Sequence, residues 1–248
     1  MTPGNLRSTL SRHVRLPSLH AGRRLKLKQN NFGFLLAGLV STLIAGPLLR
    51  EFSVLSRDQE FLVWLMESAF SLMVLIGVWS LQENRGMFRL GLLLGMLSLL
   101  FPVLAWRDRS PLLGILEVLV FLLFCVSSCY LAAKHVFRGK EADINRLSGS
   151  VCVFLLIGFI WGFLYILLTM VRPGAFQGLD LGESMHGRYD ELLYFSFATL
   201  TTLGYGDITP ATPLARILSI LEVLCGQFYL TILVASLVGN FLAGRIQR

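Results

Sequence analysis

The sequence predicts an all-α polytopic membrane protein, with six transmembrane helices and a short re-entrant helix and loop between the fifth and sixth. Three observations lead there. The chain of 248 residues is 54% hydrophobic and only 15% charged, with a mean hydropathy of +0.67, whereas a soluble domain carries about 25% charge. Six apolar runs are each long enough to cross a hydrocarbon core of about 30 Å, which takes roughly 20 helical residues. Between the last two runs, a stretch too short to span ends in "TTLGYGD", residues that favour neither a membrane helix nor a strand.

The runs lie at 32–50, 61–81, 87–106, 111–133, 147–171 and 214–243. The polar turn "QENRG" precedes the third, and "RDRSP" precedes the fourth. There Ser110 is an N-cap candidate and Pro111 a suitable first helical residue. Thr212 and Pro213 open the sixth run in the same way. That run, near 30 residues, is about 45 Å of helix, so it tilts strongly or protrudes into water.

Lysine and arginine set the orientation. Residues 1–31 hold seven of them and no acid. With that end cytoplasmic, fifteen fall inside and seven outside, which puts both termini in the cytoplasm and the 172–213 segment on the outer side. This topology accounts for most of the net charge of +7 without a nucleic-acid partner. The basic N-terminal segment reads as a topology-fixing tail that touches anionic membrane lipid. As a signal peptide it would carry too long an apolar run, and it shows no small-residue cleavage site. Cys125, Cys129, Cys152 and Cys225 all lie within apolar runs and, without metal-ligand spacing, read as buried thiols. No cofactor is expected, and no nucleophile, base or ligand set marks the chain as an enzyme.

Residues 172–213 begin as a polar loop and become "YDELLYFSFATL", a helical pattern of about a dozen residues that suits a helix entering the membrane and stopping. Placed at 189–201, it has Asp190 and Glu191 at its positive end. Non-helical backbone at that depth has to be buried in protein or line a watery path. Gly204 and Gly206, alternating around Tyr205, let successive carbonyls point the same way, and such a row can replace the water shell of a cation.

Thr202-Leu203-Gly204-Tyr205-Gly206, followed by Asp207, resembles the selectivity filter of the tetrameric potassium channels. The resemblance covers the last hundred residues, as outer helix 147–171, pore helix 189–201, filter 202–206 and inner helix 214–243. What this family does at such a segment comes with the resemblance. It implies K+ sites formed by the carbonyls of Thr202, Leu203, Gly204 and Tyr205 with the Thr202 hydroxyl, and a homotetramer, because one chain supplies one of four filter strands. It implies no cofactor beyond the permeant K+. Gly226 stands where the family's inner helix often bends, with close packing as the equal alternative.

The chain departs from the pattern. Leu203 replaces the usual valine, and its side chain is expected behind the filter. Ala198 stands at the place of a bracing glutamate, and Tyr194 and Phe195 at that of a tryptophan pair. With Thr201 and Asp207 these form the filter's support. The expectation is that Tyr194 donates a hydrogen bond to Asp207.

The resulting organisation is a basic cytoplasmic segment 1–31, a sensor-like membrane domain 32–133, a cytoplasmic linker 134–146 and a pore domain 147–248. The fourth run, 111–133, holds no lysine or arginine, so the first four spans lack gating charges and voltage dependence is weak or absent. No ligand domain follows the sixth run, and an unidentified regulatory subunit stays open as a partner. The compact form looks prokaryotic, which implies the inner cell membrane.

Glu67, Glu117 and Glu222 lie inside apolar runs and must be protonated, paired or facing water. Glu222, one turn before Gly226 and beside Gln227, is expected to bond behind the filter to Ser196 or Thr199 and to couple inner-helix movement to it. Gln227, Leu230, Val234 and Val238 form a stripe that either lines a cavity or packs. The alternatives to a potassium-selective channel are a weakly selective monovalent cation channel and, in a different class, a secondary transporter subunit. A transporter would show broken helices in both halves, and residues 1–125 show none.

Overall fold

The computed structural model describes residues 31–53, 89, 92–97, 100, 111–138, 144–179 and 185–246. Four long helices, one shorter helix and one two-stranded pairing are complete within them: α1 (Asn31–Ser53), α2 (Pro111–Arg138), α3 (Ile144–Val171), β1 (Phe176–Gln177), the shorter α4 (Met185–Leu200), β2 (Thr209–Pro210) and α5 (Pro213–Ile246). Three stretches are long and apolar enough to cross a membrane: Pro111–Phe137, Asn145–Val171 and Pro213–Ser236. Of the other expected spans, the first forms α1, whose apolar part Phe32–Ile44 is shorter. The second, with Glu67, lies outside the described residues, and the third is described only at 89, 92–97 and 100, all helical.

The helix starts follow local chemistry. Pro111 opens α2, where its missing N–H costs nothing in the first turn. Pro213 opens α5, and the Thr212 hydroxyl accepts from the Ala215 N–H at 3.4 Å. Asn145 Oδ1 accepts from the Phe32 N–H at 3.3 Å and so caps α1 from a neighbouring helix. The Arg146 side chain reaches back to donate to the Val136 carbonyl at 2.6 Å, closing the C-terminal turn of α2.

α3 is the hub. α1, α2, α4 and α5 all pack on it, and within its spanning stretch 61% of the residues are buried against 11% for α5. On the α2 side, Phe121 and Phe163 stack nearly parallel, 5.7 Å apart. Towards α4 the backbones approach over two glycines one turn apart. A Cβ on Gly158 would strike the Phe197 ring, and one on Gly162 would strike Leu193. Towards α5, Tyr229 donates to the Ser150 carbonyl at 2.6 Å and stacks on Phe154.

The short helix α4 runs Met185–Leu200 rather than 189–201. Asp190 and Glu191 therefore stand in its second turn and not at its positive end. The apolar pattern begins only at Tyr189, whereas the helix already starts at Met185, over the mixed stretch Met-His-Gly-Arg that carries no periodic signal. Beyond α3, β1 pairs antiparallel with β2, Phe176 opposite Pro210 and Gln177 opposite Thr209. The Ala175 carbonyl accepts from Ala211 and Thr212 at 2.9 and 3.4 Å. These bonds tie the loop after α3 to the segment before α5, across the residues that follow α4. One expectation about the cysteines needs correction. Cys125 and Cys152 are buried and Cys129 is half-buried, but Cys225 is exposed on the open face of α5.

Candidate functional site

α4 ends in a bifurcated bond. The Ala198 carbonyl accepts from both Leu203 (2.8 Å) and Gly204 (3.2 Å), while Thr201 and Thr202 bond back to Phe197 and Thr199, each at 3.0 Å. The Thr201 hydroxyl caps the same end, donating to Phe197 at 2.7 Å. The chain then leaves the helix with left-handed φ at every second residue: Thr202 at 60°, Gly204 at 56° and Gly206 at 83°. Leu203 and Tyr205 between them have negative φ. Opposite φ signs at alternate residues belong neither to a regular helix nor to a regular strand, in which φ stays negative. A threonine with φ near 60° is uncommon, and here the bonds on either side hold it.

Residues 201–207 are exposed within the single chain, Leu203 by 55% and Tyr205 by 71%. On the far side of the segment, Tyr194 donates to Asp207 Oδ2 at 2.8 Å. That bond, the largest influence, holds the Asp207 carboxyl below its ordinary value of 3.8. Desolvation works against it, and the backbone N–H groups of Ile208 and Asp207 assist. The same bond raises the Tyr194 phenol. The loop after α3 presses from outside: Gly178 has φ 89°, and a Cβ there would collide with the Asp207 carbonyl oxygen.

Behind α4 lies an aromatic triangle. Tyr165 of α3, Phe176 of β1 and Phe195 of α4 meet edge-to-face, with centroids 5.1–5.3 Å apart. Phe195 thus finds its partners in α3 and β1 of its own chain. Below the triangle, the Tyr165 hydroxyl donates to Glu222 Oε2 at 2.5 Å. Ser196 Oγ lies 2.5 Å from Glu222 Oε1 and 2.8 Å from the Gly158 carbonyl. Tyr165, Ser196 and Glu222 are each sealed from solvent. Of the two partners expected for Glu222, Ser196 is the one bonded.

Ala198 is buried at the bend. One turn below Glu222, a Cβ on Gly226 would sit 2.8 Å from both the carbonyl oxygen and Cδ1 of Leu200, so the geometry at Gly226 is that of close packing. Gln227, Leu230 and Val234 are exposed along α5, and the side chain of Val238 lies outside the described residues. Glu117 is 2% exposed on α2, and its Oε1 finds no partner among the described residues. Among the described residues no three His, Cys, Asp or Glu could hold a metal ion together.

Sequence reasoning missed Tyr165, Phe176 and Gly178, which brace the segment, and Gly158 and Gly162, which let α4 approach α3. The glycine pair one turn apart in an apolar run was a readable sign of close helix contact. Nothing in the sequence marked Phe176.

Two membrane-length helices thus enclose a short helix and an exposed backbone segment of alternating φ sign. Residues 151–243, which take in most of both helices and everything between them, match the family model for an ion channel. The chain is 27% identical over 176 residues to the voltage-gated potassium channel Kch of Escherichia coli, covering 66% of this chain and 40% of that one. It is 36% identical over 101 residues to the inward rectifier potassium channel Kirbac3.1 of Paramagnetospirillum magnetotacticum, 40% of this chain and 32% of the relative. With two-pore potassium channel 4 of Arabidopsis thaliana it shares 28% over 104 residues, 42% and 36% of the two chains. The matched parts span two fifths or less of these relatives. The chain is thus similar to the ion-channel family over residues 151–243, and these relatives are potassium channels.

Proposed function

We propose that four copies of this chain form a potassium-selective channel that conducts K+ passively, with weak or no voltage gating. The observation that carries this is the alternation of left-handed φ at Thr202, Gly204 and Gly206. In this reading the carbonyls of Thr202, Leu203, Gly204 and Tyr205 would lie along one line, where four chains would make rings of oxygens able to replace a hydration shell. The Thr202 hydroxyl would complete the innermost ring, and the side chains of Leu203 and Tyr205 would be covered by neighbouring copies. Assembly is further supported by α5, where Leu214, Ile217, Leu221, Leu224 and Phe228 are large, apolar and exposed within one subunit.

In this reading α4 is a re-entrant pore helix between the fifth and sixth of six spans. The first four spans are a scaffold without gating arginines, consistent with the absence of lysine and arginine from 111–133. Both termini face the cytoplasm of an inner membrane. The chain is a conduit and not a catalyst. Bi-ionic reversal potentials with potassium on one side and sodium on the other test the reading in planar bilayers. A strong shift toward the potassium potential is expected. Equal permeabilities would replace the reading with the weakly selective cation channel, and flux coupled to a second solute would point to a transporter.

A further inference from the structure

Glu222 sits in a row of oxygens whose protons can be counted. From Tyr165 Oη to Glu222 Oε2 is 2.5 Å, from Glu222 Oε1 to Ser196 Oγ 2.5 Å, and from Ser196 Oγ to the Gly158 carbonyl 2.8 Å. Three hydrogen bonds in line need three protons. Tyr165 and Ser196 bring one each, and a carbonyl brings none. With an ionised Glu222, Ser196 would have to choose between its two acceptors. The other pair of oxygens would then face each other unbridged in a site closed to water. Placing the third proton on Oε1 resolves this, since Glu222 donates to Ser196, Ser196 donates to Gly158, and Tyr165 donates to the remaining carbonyl oxygen of the acid. Both partners of the carboxyl are hydroxyls and neither is a cation, as suits a neutral group in an apolar interior.

The position of this row gives it a task. Glu222 and Gly226 are one turn apart on α5, and they meet Ser196 and Leu200, one turn apart on α4. The inner helix therefore grips the back of the short helix at two levels, one a hydrogen bond and the other a backbone contact. Between those levels lies Ala198, whose carbonyl holds Leu203 and Gly204. We infer that Glu222 carries its own proton and, as a neutral carboxylic acid, is a positioning residue that locks α5 to α4 and so holds the 202–206 backbone in its alternating form. The conduction half of this inference rests on the channel reading above, while the proton assignment does not.

The experiment uses the full-length channel in liposomes, with infrared difference spectra and potassium flux on the same samples. Wild type minus E222Q should show the C=O stretch of a protonated carboxyl, missing from the variant. Y165F removes the bond to that carbonyl and keeps the ring, so the band should move to higher wavenumber. E222Q, whose amide can donate to Ser196 and accept from Tyr165, should keep flux within about twofold. E222A, which leaves two buried hydroxyls unpaired, should lose about tenfold. A missing band, or one that Y165F leaves in place, overturns the neutral acid. Flux in E222Q as low as in E222A, or flux in E222A equal to wild type, overturns the positioning role. If E222A fails to assemble, flux in Y165F, which should fall with the band shift, carries the same decision. Wild-type liposomes that pass no potassium yet show the band would sink the channel reading and leave the proton on Glu222.

Discussion

The Tyr194 hydroxyl donates to Asp207 Oδ2 at 2.8 Å, joining the second half of α4 to the residue just past the glycine-rich segment. Thirteen residues separate the two in sequence, and the bond closes the bend around Thr201–Gly206. Removing it with Y194F should leave α4 intact and loosen the bend. The expected result is a lower potassium-over-sodium permeability ratio and faster decline of current in low potassium. Wild-type behaviour in both measurements would mean that the Gly178 contact and the Ala198 bonds suffice.

The same bond sets a pH dependence. Asp207 has its carboxyl held below the ordinary 3.8, chiefly by the Tyr194 bond, so the folded form prefers the carboxylate. Its contribution is complete above the ordinary carboxylate value and lost as pH falls through the lowered one. Wild type should keep its thermal stability down to about pH 4 and lose it below, the window set by the direction of that shift. In Y194F the main cause of the lowering is gone, so this contribution should be missing: the variant should melt below wild type above about pH 4, and the two curves should converge as pH falls toward 3. Melting temperatures of both proteins in detergent from pH 3 to 7 check the order, and coincident curves would refute it. Because both groups are exposed, the effect should shrink in high salt.

How much of this was legible depended on whether the partner was close in pattern. Asp207 and Tyr194 could be paired from sequence because the resemblance places both around the same bend. The Glu222–Ser196 bond was legible too, since a carboxyl in an apolar run demands a partner. Tyr165 was not. In a run as uniformly apolar as 147–171, no periodicity says which face meets which neighbour, and a tyrosine there reads as one more large side chain. The α4 start was misplaced for a related reason, because the mixed residues 185–188 lie outside any apolar pattern. The β1–β2 pairing is two residues long and rests on backbone bonds alone, so no side-chain alternation announces it.

Gly178 offers a test of that pairing. With φ at 89°, and with the Asp207 carbonyl oxygen where a side chain would stand, alanine is strained twice over. G178A should push Asp207 away from Tyr194 and reproduce part of the Y194F phenotype. In the double variant G178A/Y194F the two defects should not add, since both act on one residue. Fully additive changes in melting temperature would show that the two contacts act independently.

The aromatic triangle should be worth more than its hydrogen-bonded neighbours. Phe195 is 6% exposed and touches both Tyr165 and Phe176 at 5.1–5.3 Å. Truncating a buried phenylalanine to alanine costs about 3–5 kcal/mol. F195A is therefore expected to lose most assembled channel at ordinary temperature. F195L, which keeps an apolar side chain and part of the volume but not the edge-to-face geometry, should retain assembly with a melting temperature lower by a few degrees, since such pairs add about 0.5–1.5 kcal/mol each. Equal yields of F195A and wild type on gel filtration would remove the triangle from the account of stability.

Gly226 separates two roles that the sequence left equal. Its position against the Leu200 carbonyl and Cδ1, 2.8 Å from where a Cβ would sit, makes close packing its first requirement. Leucine's side chain can rotate away, but the carbonyl oxygen cannot, because it belongs to the last turn of α4. G226A should thus force α5 outward and cost about 1–3 kcal/mol, the usual scale of overpacking. The displacement falls one turn below Glu222, so it should also strain the bond to Ser196 and lower potassium flux at constant protein. A residue that served only as a bend point would behave otherwise, since alanine favours helix and would raise the melting temperature while altering opening alone. A higher melting temperature for G226A than for wild type would decide for the bend and against the packing contact.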